Sequence, residues 1–262
     1  MIGAIIGDIV GSRFEFNNTN RTDFELFTDE CSYTDDTICT IAIADAILKG
    51  KSYKDSLLEW CRKYPNPKGA YGGSFARWIH SLDPQPYNSY GNGSAMRVSP
   101  VGWVFDEIAR TVIEAGFTSE VSHSHPEGIR GARCVADLIF QLRSNQLKKD
   151  QVKEWIKRSY LYDIPVFVEI EKNVFNETCQ VTVPQAISCF LEASSFEETI
   201  RLAVSIGGDS DTIAAIAGSI AEAYYPIPKD IYDKAFSYLP TDMLDVIGDF
   251  FKILNNKTKN NG

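Results

Sequence analysis

Basic residues are in short supply in this chain. Lys and Arg number 26 against 35 Asp and Glu, leaving 262 residues with a formal net charge of −9. A phosphate backbone or an anionic bilayer is gripped mainly through Lys and Arg, so neither nucleic acid nor a membrane surface is the expected partner. A small anion held by backbone N–H groups remains open. Histidine is scarcer still, with only His80, His123 and His125. A zinc site at the His123/His125 pair would need more imidazole or thiolate ligands nearby. The six cysteines (Cys31, Cys39, Cys61, Cys134, Cys179, Cys189) include no CxxC pair and no regular spacing. Several fall in apolar helical runs, so they read as free buried thiols of a reducing cytosol. The apolar start, residues 1–8, lacks a basic leader and is interrupted by Asp8, so it is neither a signal peptide nor a membrane span. A cytoplasmic protein is the expectation.

Strand signals are also few. Only residues 180–183 and 166–168 have extended character, and no hairpin turn follows either. Helical periodicity fills the rest. Gly3, Gly7 and Gly11 place one glycine stripe on a helix face. Amphipathic helices are expected over 36–48, ending at Gly50, and over 53–64, stopped by Pro65. Pro126 opens a further helix at its first position, with His125 as its cap. Residues 148–160 form a charged surface helix, and Ser195-Phe196-Glu197-Glu198 is a capping box for a helix reaching Ile206. Hydrophobic residues at 44% and charged ones at 23% suit an ordinary soluble globule. With no linker in sight, the expectation is one all-α domain over 1–254, monomeric, followed by a disordered polar tail over 255–262.

Two short segments far apart repeat one pattern: Thr34-Asp35-Asp36-Thr37-Ile38 and Asp209-Ser210-Asp211-Thr212-Ile213. Each sets two acidic residues and a threonine ahead of a long apolar helical run. Acidic residues suit a helix start, where free N–H groups and the dipole favour negative charge. Capping needs one such residue, however, and not a dense cluster twice. If the two helix starts meet, four carboxylates converge and repel one another unless cations fill the space. All-oxygen ligands select hard ions such as Mg²⁺, Mn²⁺ or Ca²⁺, and four carboxylates would balance two of them. The bland alternative is two capped helices with solvated acidic starts.

Between these motifs lie two glycine-rich loops, Lys68-Gly69-Ala70-Tyr71-Gly72-Gly73-Ser74 and Tyr90-Gly91-Asn92-Gly93-Ser94-Ala95-Met96-Arg97. A glycine loop running into a helix offers backbone N–H groups to an anion, commonly phosphate; a plain turn is the alternative. His123 reads as a pocket residue. Glu15, between Phe14 and Phe16, has either a raised pKa suited to proton transfer or a surface position beside Arg13.

Taken together, Gly7-Asp8, Gly11, Glu15, Thr34-Asp35-Asp36-Thr37, Gly91-Asn92-Gly93-Ser94-Ala95-Met96-Arg97 and Gly208-Asp209-Ser210-Asp211-Thr212 resemble the ADP-ribosylglycohydrolase family, in order along most of the chain. The resemblance implies a compact all-α fold around a dinuclear Mg²⁺ (or Mn²⁺) centre with Thr34, Asp35, Asp36, Asp209, Asp211 and Thr212 as ligands. It implies that Tyr71, Gly72, Gly73, Ser74, Gly91, Asn92, Gly93, Ser94, Met96 and His123 line an ADP-ribose cleft. Glu15 matches a flap glutamate of the serine-linked branch and is the candidate catalytic residue. The implied activity is hydrolysis of the C1″ glycosidic bond of an ADP-ribosylated protein or small acceptor. A two-metal phosphoesterase and a non-enzymatic ADP-ribose or nucleotide binder are the rival readings.

Overall fold

The structure, a computed structural model, describes residues 1–260, with side chains described as far as Lys257. Its elements in chain order begin with α1 (Ile2–Gly11), α2 (Asp35–Lys49), α3 (Tyr53–Lys63), α4 (Gly73–His80) and α5 (Gly93–Met96). Next come α6 (Ser99–Val104), α7 (Ile108–Glu120), α8 (Pro126–Arg143), α9 (Val152–Tyr160) and α10 (Cys179–Glu192). The last four are α11 (Phe196–Ile206), α12 (Ser210–Ala221), α13 (Lys229–Phe236) and α14 (Thr241–Asn260). The fold is all-α, and its β content among the described residues is two isolated bridges, Thr34 with Lys68 and Gly91 with Thr178.

The centre is a pair of helices without a polar face. Every residue of α1 and every residue of α12 is buried. Glycine and alanine make this crossing possible. A Cβ added at Gly3 would overlap the Gly218 carbonyl, and one at Gly7 would overlap the Ala214 carbonyl. At Gly11 an added Cβ would reach Asp211 Cα at 2.5 Å. The stripe therefore brings the end of α1 against the start of α12, where the second acidic motif lies. Around this pair pack α2, α10 and α11, with α7 and α8 forming a further layer.

An added Cβ at Gly7 meets only backbone atoms of α12, so the overlap cannot relax by a rotamer change. Gly7→Ala is expected to destabilise the protein by about 3 kcal/mol or more, the upper range for overpacking. In a domain of this size that lowers the melting temperature by roughly 6 to 12 °C. An unchanged melting curve would mean that the two helices are not in contact along this stripe.

Local signals explain most boundaries. Ser52 and Ser195 cap α3 and α11 by accepting from the N–H groups of Asp55 and Glu198. His125 caps α8 through Nδ1, which accepts from Glu127 N at 3.1 Å. The partner in the expected capping box differs: Glu198 Oε2 takes the Ser194 N–H at 2.7 Å.

Neither expected strand forms. Residues 180–183 form the first turn of α10, and 166–168 run into a single 3₁₀ turn at Phe167–Glu169. Their β-branched residues misled the reading, because a strand needs a partner and no described segment supplies one. The expected disordered tail is also helical as far as Asn260, since α14 continues through it. Lys257 there donates to the Val104 carbonyl and to Asp106 Oδ2, each at 2.6 Å. Asn261 and Gly262 lie outside the described residues.

Candidate active site

The site begins with a residue in the middle of α1. Asp8 is fully buried, and its two oxygens receive four donors from the start of α2. Oδ1 accepts from Thr34 Oγ1 at 2.6 Å; Oδ2 accepts from Thr34 N at 2.9 Å, Thr37 N at 3.1 Å and the Thr37 hydroxyl. A buried carboxylate thus caps a neighbouring helix and fixes α2 against α1. Thr34, the N-cap of α2, accepts in turn from Asp36 N at 3.3 Å.

With capping done by Asp8 and Thr34, the acidic residues of the motifs are left for something else. Asp36 Oδ2 accepts from Thr212 Oγ1 at 3.1 Å, which joins the two motifs across 176 residues of sequence. Asp36 Oδ1 is buried and has no hydrogen-bond partner among the described residues. Asp209 makes no cap bond to α12; its Oδ2 accepts from Asn92 Nδ2 at 2.6 Å. The expected convergence of the two helix starts is therefore present. Carboxylate oxygens of Asp8, Asp36 and Asp211 lie within 4.8 Å of one another, and so do those of Glu15, Asp209 and Asp211.

Crowded acids resist ionising. Burial, then the charges of neighbouring carboxylates, pushes Asp35, Asp36 and Asp211 well above the usual carboxylate range. Burial raises Asp209 to about 6, against the pull of its Asn92 hydrogen bond. Glu15 is raised to about 7, first by burial and then by Asp209 and Asp8. These groups keep protons in the folded state that they lose when unfolded, so they stabilise the cation-free protein at low pH. That stabilisation fades as pH rises from about 4 through about 7. In excess chelator the melting temperature is expected to fall steadily between about pH 5 and about pH 8. Added Mg²⁺ should flatten that slope. A chelated protein equally stable across the window would contradict the acid cluster.

Glu15 sits just beyond α1, over the same point. Asn18 holds its loop: Nδ2 donates to the Phe14 carbonyl at 2.7 Å, while Oδ1 accepts from Gly208 N at 2.9 Å. Gly207 and Gly208, at φ +75° and +69°, turn the chain from α11 into α12 at that place. On the other side is Gly69, with φ +79°, where an added Cβ would lie 2.5 Å from Glu15 Oε2. The first glycine loop thus packs directly on this carboxyl group.

A cleft of about 470 Å³ opens beside the cluster, within the size range of small-molecule sites. Among its walls are Glu15, Asp35, Asp209, Asp211 and Thr212 from the acidic end, and Tyr71, Gly72, Gly73 and Ser74 from the first loop. Gly91, Asn92, Gly93, Met96 and His123 complete the expected set. Thr34 and Asp36 lie behind the surface, buried.

Two expected binding residues turn out differently. Ser94 is outside the cleft: its hydroxyl donates to the Gly128 carbonyl at 2.8 Å. In the single turn of α5, residues 93, 96 and 97 share one face and Ser94 points to α8 instead. Asn92 reaches the cleft, but its amide is committed to Asp209 and, at 3.1 Å, to Thr182 Oγ1. It orients an acid of the cluster.

Asp8 as an anchor, Asn18, Phe16, Phe75, Tyr87, Arg97, Phe175 and Glu177 join the site beyond the residues expected from the sequence. Asp8, inside an otherwise apolar helix, was a legible signal. Phe175 and Glu177 enter through a loop that no local pattern marks.

Relatives share this arrangement of sequence over most of their length. A family model for ADP-ribosylglycohydrolase matches residues 1–258. ADP-ribosylhydrolase ARH3 of Bos taurus is 25% identical over 326 residues, covering 93% of this chain and 89% of that protein. The Homo sapiens ARH3 is 23% identical over 329 residues, covering 93% and 90%. ADP-ribosylarginine hydrolase Tri1 of Pseudomonas putida (strain GB-1) is 24% identical over 264 residues, covering 87% and 70%. A solved structure described as an ADP-ribosylglycohydrolase-related protein complex superposes with a TM-score of 0.72 at 22% identity, covering 97% of each chain, and shares the fold.

Proposed function

The chain belongs to the ADP-ribosylglycohydrolase family, and on that premise we propose that it cleaves the C1″ glycosidic bond of an ADP-ribosylated protein or small acceptor, releasing ADP-ribose. One observation carries the reading: Asp36 and Asp211, from opposite ends of the chain, meet beneath a cleft roofed by Glu15.

The residues fit a pair of divalent cations. The donor set is all oxygen, Asp36 Oδ1 is buried without a partner, and the surrounding acids repel one another. Thr34, Asp35, Asp36, Asp209, Asp211 and Thr212 would hold Mg²⁺, or Mn²⁺, in this proposal. Such ions supply positive charge that orients ribose hydroxyls and a water.

The protein's own groups do the rest. Glu15, with a pKa raised to about 7, can hold a proton for the leaving group or take one from water. Asp8 keeps the start of α2 in place, and Asn92 keeps Asp209 in place. Backbone N–H groups at the start of α4, with that of Gly93, would receive the diphosphate; the Gly91 and Asn92 N–H groups already donate to Ser89 Oγ and the Glu177 carbonyl. Helix α4, capped by Gly72, has no side-chain acceptor at its N-terminus, so those donors are available to a ligand. Single-domain, monomeric action in the cytoplasm is part of the proposal; the six free, buried cysteines support its reducing compartment.

Product release and product binding test this together. Purified protein with Mg²⁺ should liberate free ADP-ribose from arginine- or serine-linked ADP-ribosyl peptides. ADP-ribose at about 100 times its dissociation constant should add about 2.7 kcal/mol of stability, a clear rise in melting temperature. AMP and ribose 5-phosphate should shift it much less. Inorganic phosphate as the product, or equal shifts from AMP and ADP-ribose, would reject the glycohydrolase reading.

A further inference from the structure

Arg97 is fully buried, and no carboxylate pairs with it among the described residues. Its Nη2 donates to the Thr118 carbonyl at 2.8 Å and to Ser122 Oγ at 2.9 Å, while Nε and Nη1 have no partner among the described residues. A buried, uncompensated guanidinium is destabilising unless its charge is used. Arg97 also forms part of the cleft wall, with Cζ 5.7 Å from the Phe75 ring centroid.

Hydrogen-bond polarity then runs in one direction. Guanidinium only donates, so Ser122 Oγ accepts from it and turns its own proton elsewhere. The acceptor within reach is His123 Nδ1, at 2.8 Å. A ring that accepts at Nδ1 and is neutral carries its proton on Nε2. Burial, followed by the Arg97 charge, holds the His123 pKa well below its usual value, so the ring is neutral. Nε2 faces the second glycine loop: an added Cβ on Gly93 would lie 2.9 Å from it. Among the described residues no acceptor takes that N–H, and His123 lines the cleft.

We propose that Arg97 and Ser122 form a positioning relay that locks His123 as its Nε2–H tautomer, presenting a neutral donor to a phosphate or ribose oxygen of the bound ligand. His123 is then neither a base nor a metal ligand, and Arg97 contributes unneutralised positive charge behind it. The ligand's identity rests on the glycohydrolase reading; the tautomer does not.

Long-range ¹H–¹⁵N NMR of the full chain with Mg²⁺ and no ADP-ribose reads the ring directly, His80→Gln and His125→Gln assigning the other two histidines. Wild type should show the Nε2–H form, unchanged between about pH 6 and about pH 8. Ser122→Ala should give mixed tautomers and bind ADP-ribose about tenfold more weakly, the effect of losing one oriented hydrogen bond. Its KM should rise while kcat changes less than about threefold. Arg97→Met should lose the tautomer similarly; if it fails to fold, Ser122→Ala decides alone. An Nδ1–H ring in wild type, or a ring or affinity unchanged in Ser122→Ala, would overturn the relay. A wild type that shows the Nε2–H ring, lost in Ser122→Ala, yet does not bind ADP-ribose supports the relay and rejects the assigned ligand.

Discussion

Glu15→Gln is expected to lower turnover by roughly 10²- to 10⁴-fold while leaving ADP-ribose affinity near that of wild type. The substitution preserves shape and hydrogen bonding and removes only the ionisable proton. The carboxyl group is held in place by its neighbours. Asn18 ties its loop to Gly208, and Gly69 packs against Oε2 where any larger residue would collide. Burial raises its pKa, to about 7 in the cation-free protein, the direction that lets a carboxyl group hold a proton near neutral pH. Single-turnover kinetics with calorimetric binding separates the two effects. Turnover within about threefold of wild type would make Glu15 structural and move the proton transfer elsewhere.

Removing one charge from the acid cluster is expected to have the second-largest effect. Asp36→Asn and Asp211→Asn should each weaken divalent-cation binding more than tenfold, since even outer-sphere changes commonly cost about 10- to 100-fold. Activity at limiting Mg²⁺ should fall in parallel. Without cations the same variants should be at least as stable as wild type, because each removes a member of a mutually repelling group that burial already strains. Calorimetric Mg²⁺ titration and melting curves in chelator check both halves. Full activity under limiting Mg²⁺ would remove the cation site from the mechanism.

Much of this site was legible because its signals are local. A doubled acidic motif before an apolar run marks two helix starts by elementary capping chemistry, and the glycine stripe marks a helix that another helix must touch closely. Residues 180–183 show the limit. Val181, Thr182 and Val183 have strand propensity, but propensity is a weak preference that packing overrides, and this segment is the first turn of α10. Ser94 shows another limit, since which side of a one-turn helix faces the cleft depends on where α8 lies.

Sequence by itself determined the helical class, the two acidic helix starts, the glycines that permit α1 and α12 to cross, and the family. The first three are carried by spacing within a few residues or by composition, and the family by the resemblance of its motifs in order along the chain. Tertiary structure alone decided which donors and acids meet. It turned the Thr34 hydroxyl proton to Asp8, gave the Asn92 amide to Asp209, left Asp36 Oδ1 without a partner among the described residues, and set Arg97, which none of their carboxylates pairs, behind His123. The physical reason is range. Capping and periodicity act over one or two turns of chain, whereas hydrogen bonding and carboxylate repulsion act across a few ångströms of space. Only the folded backbone brings residues 8, 36, 97 and 209 within that reach.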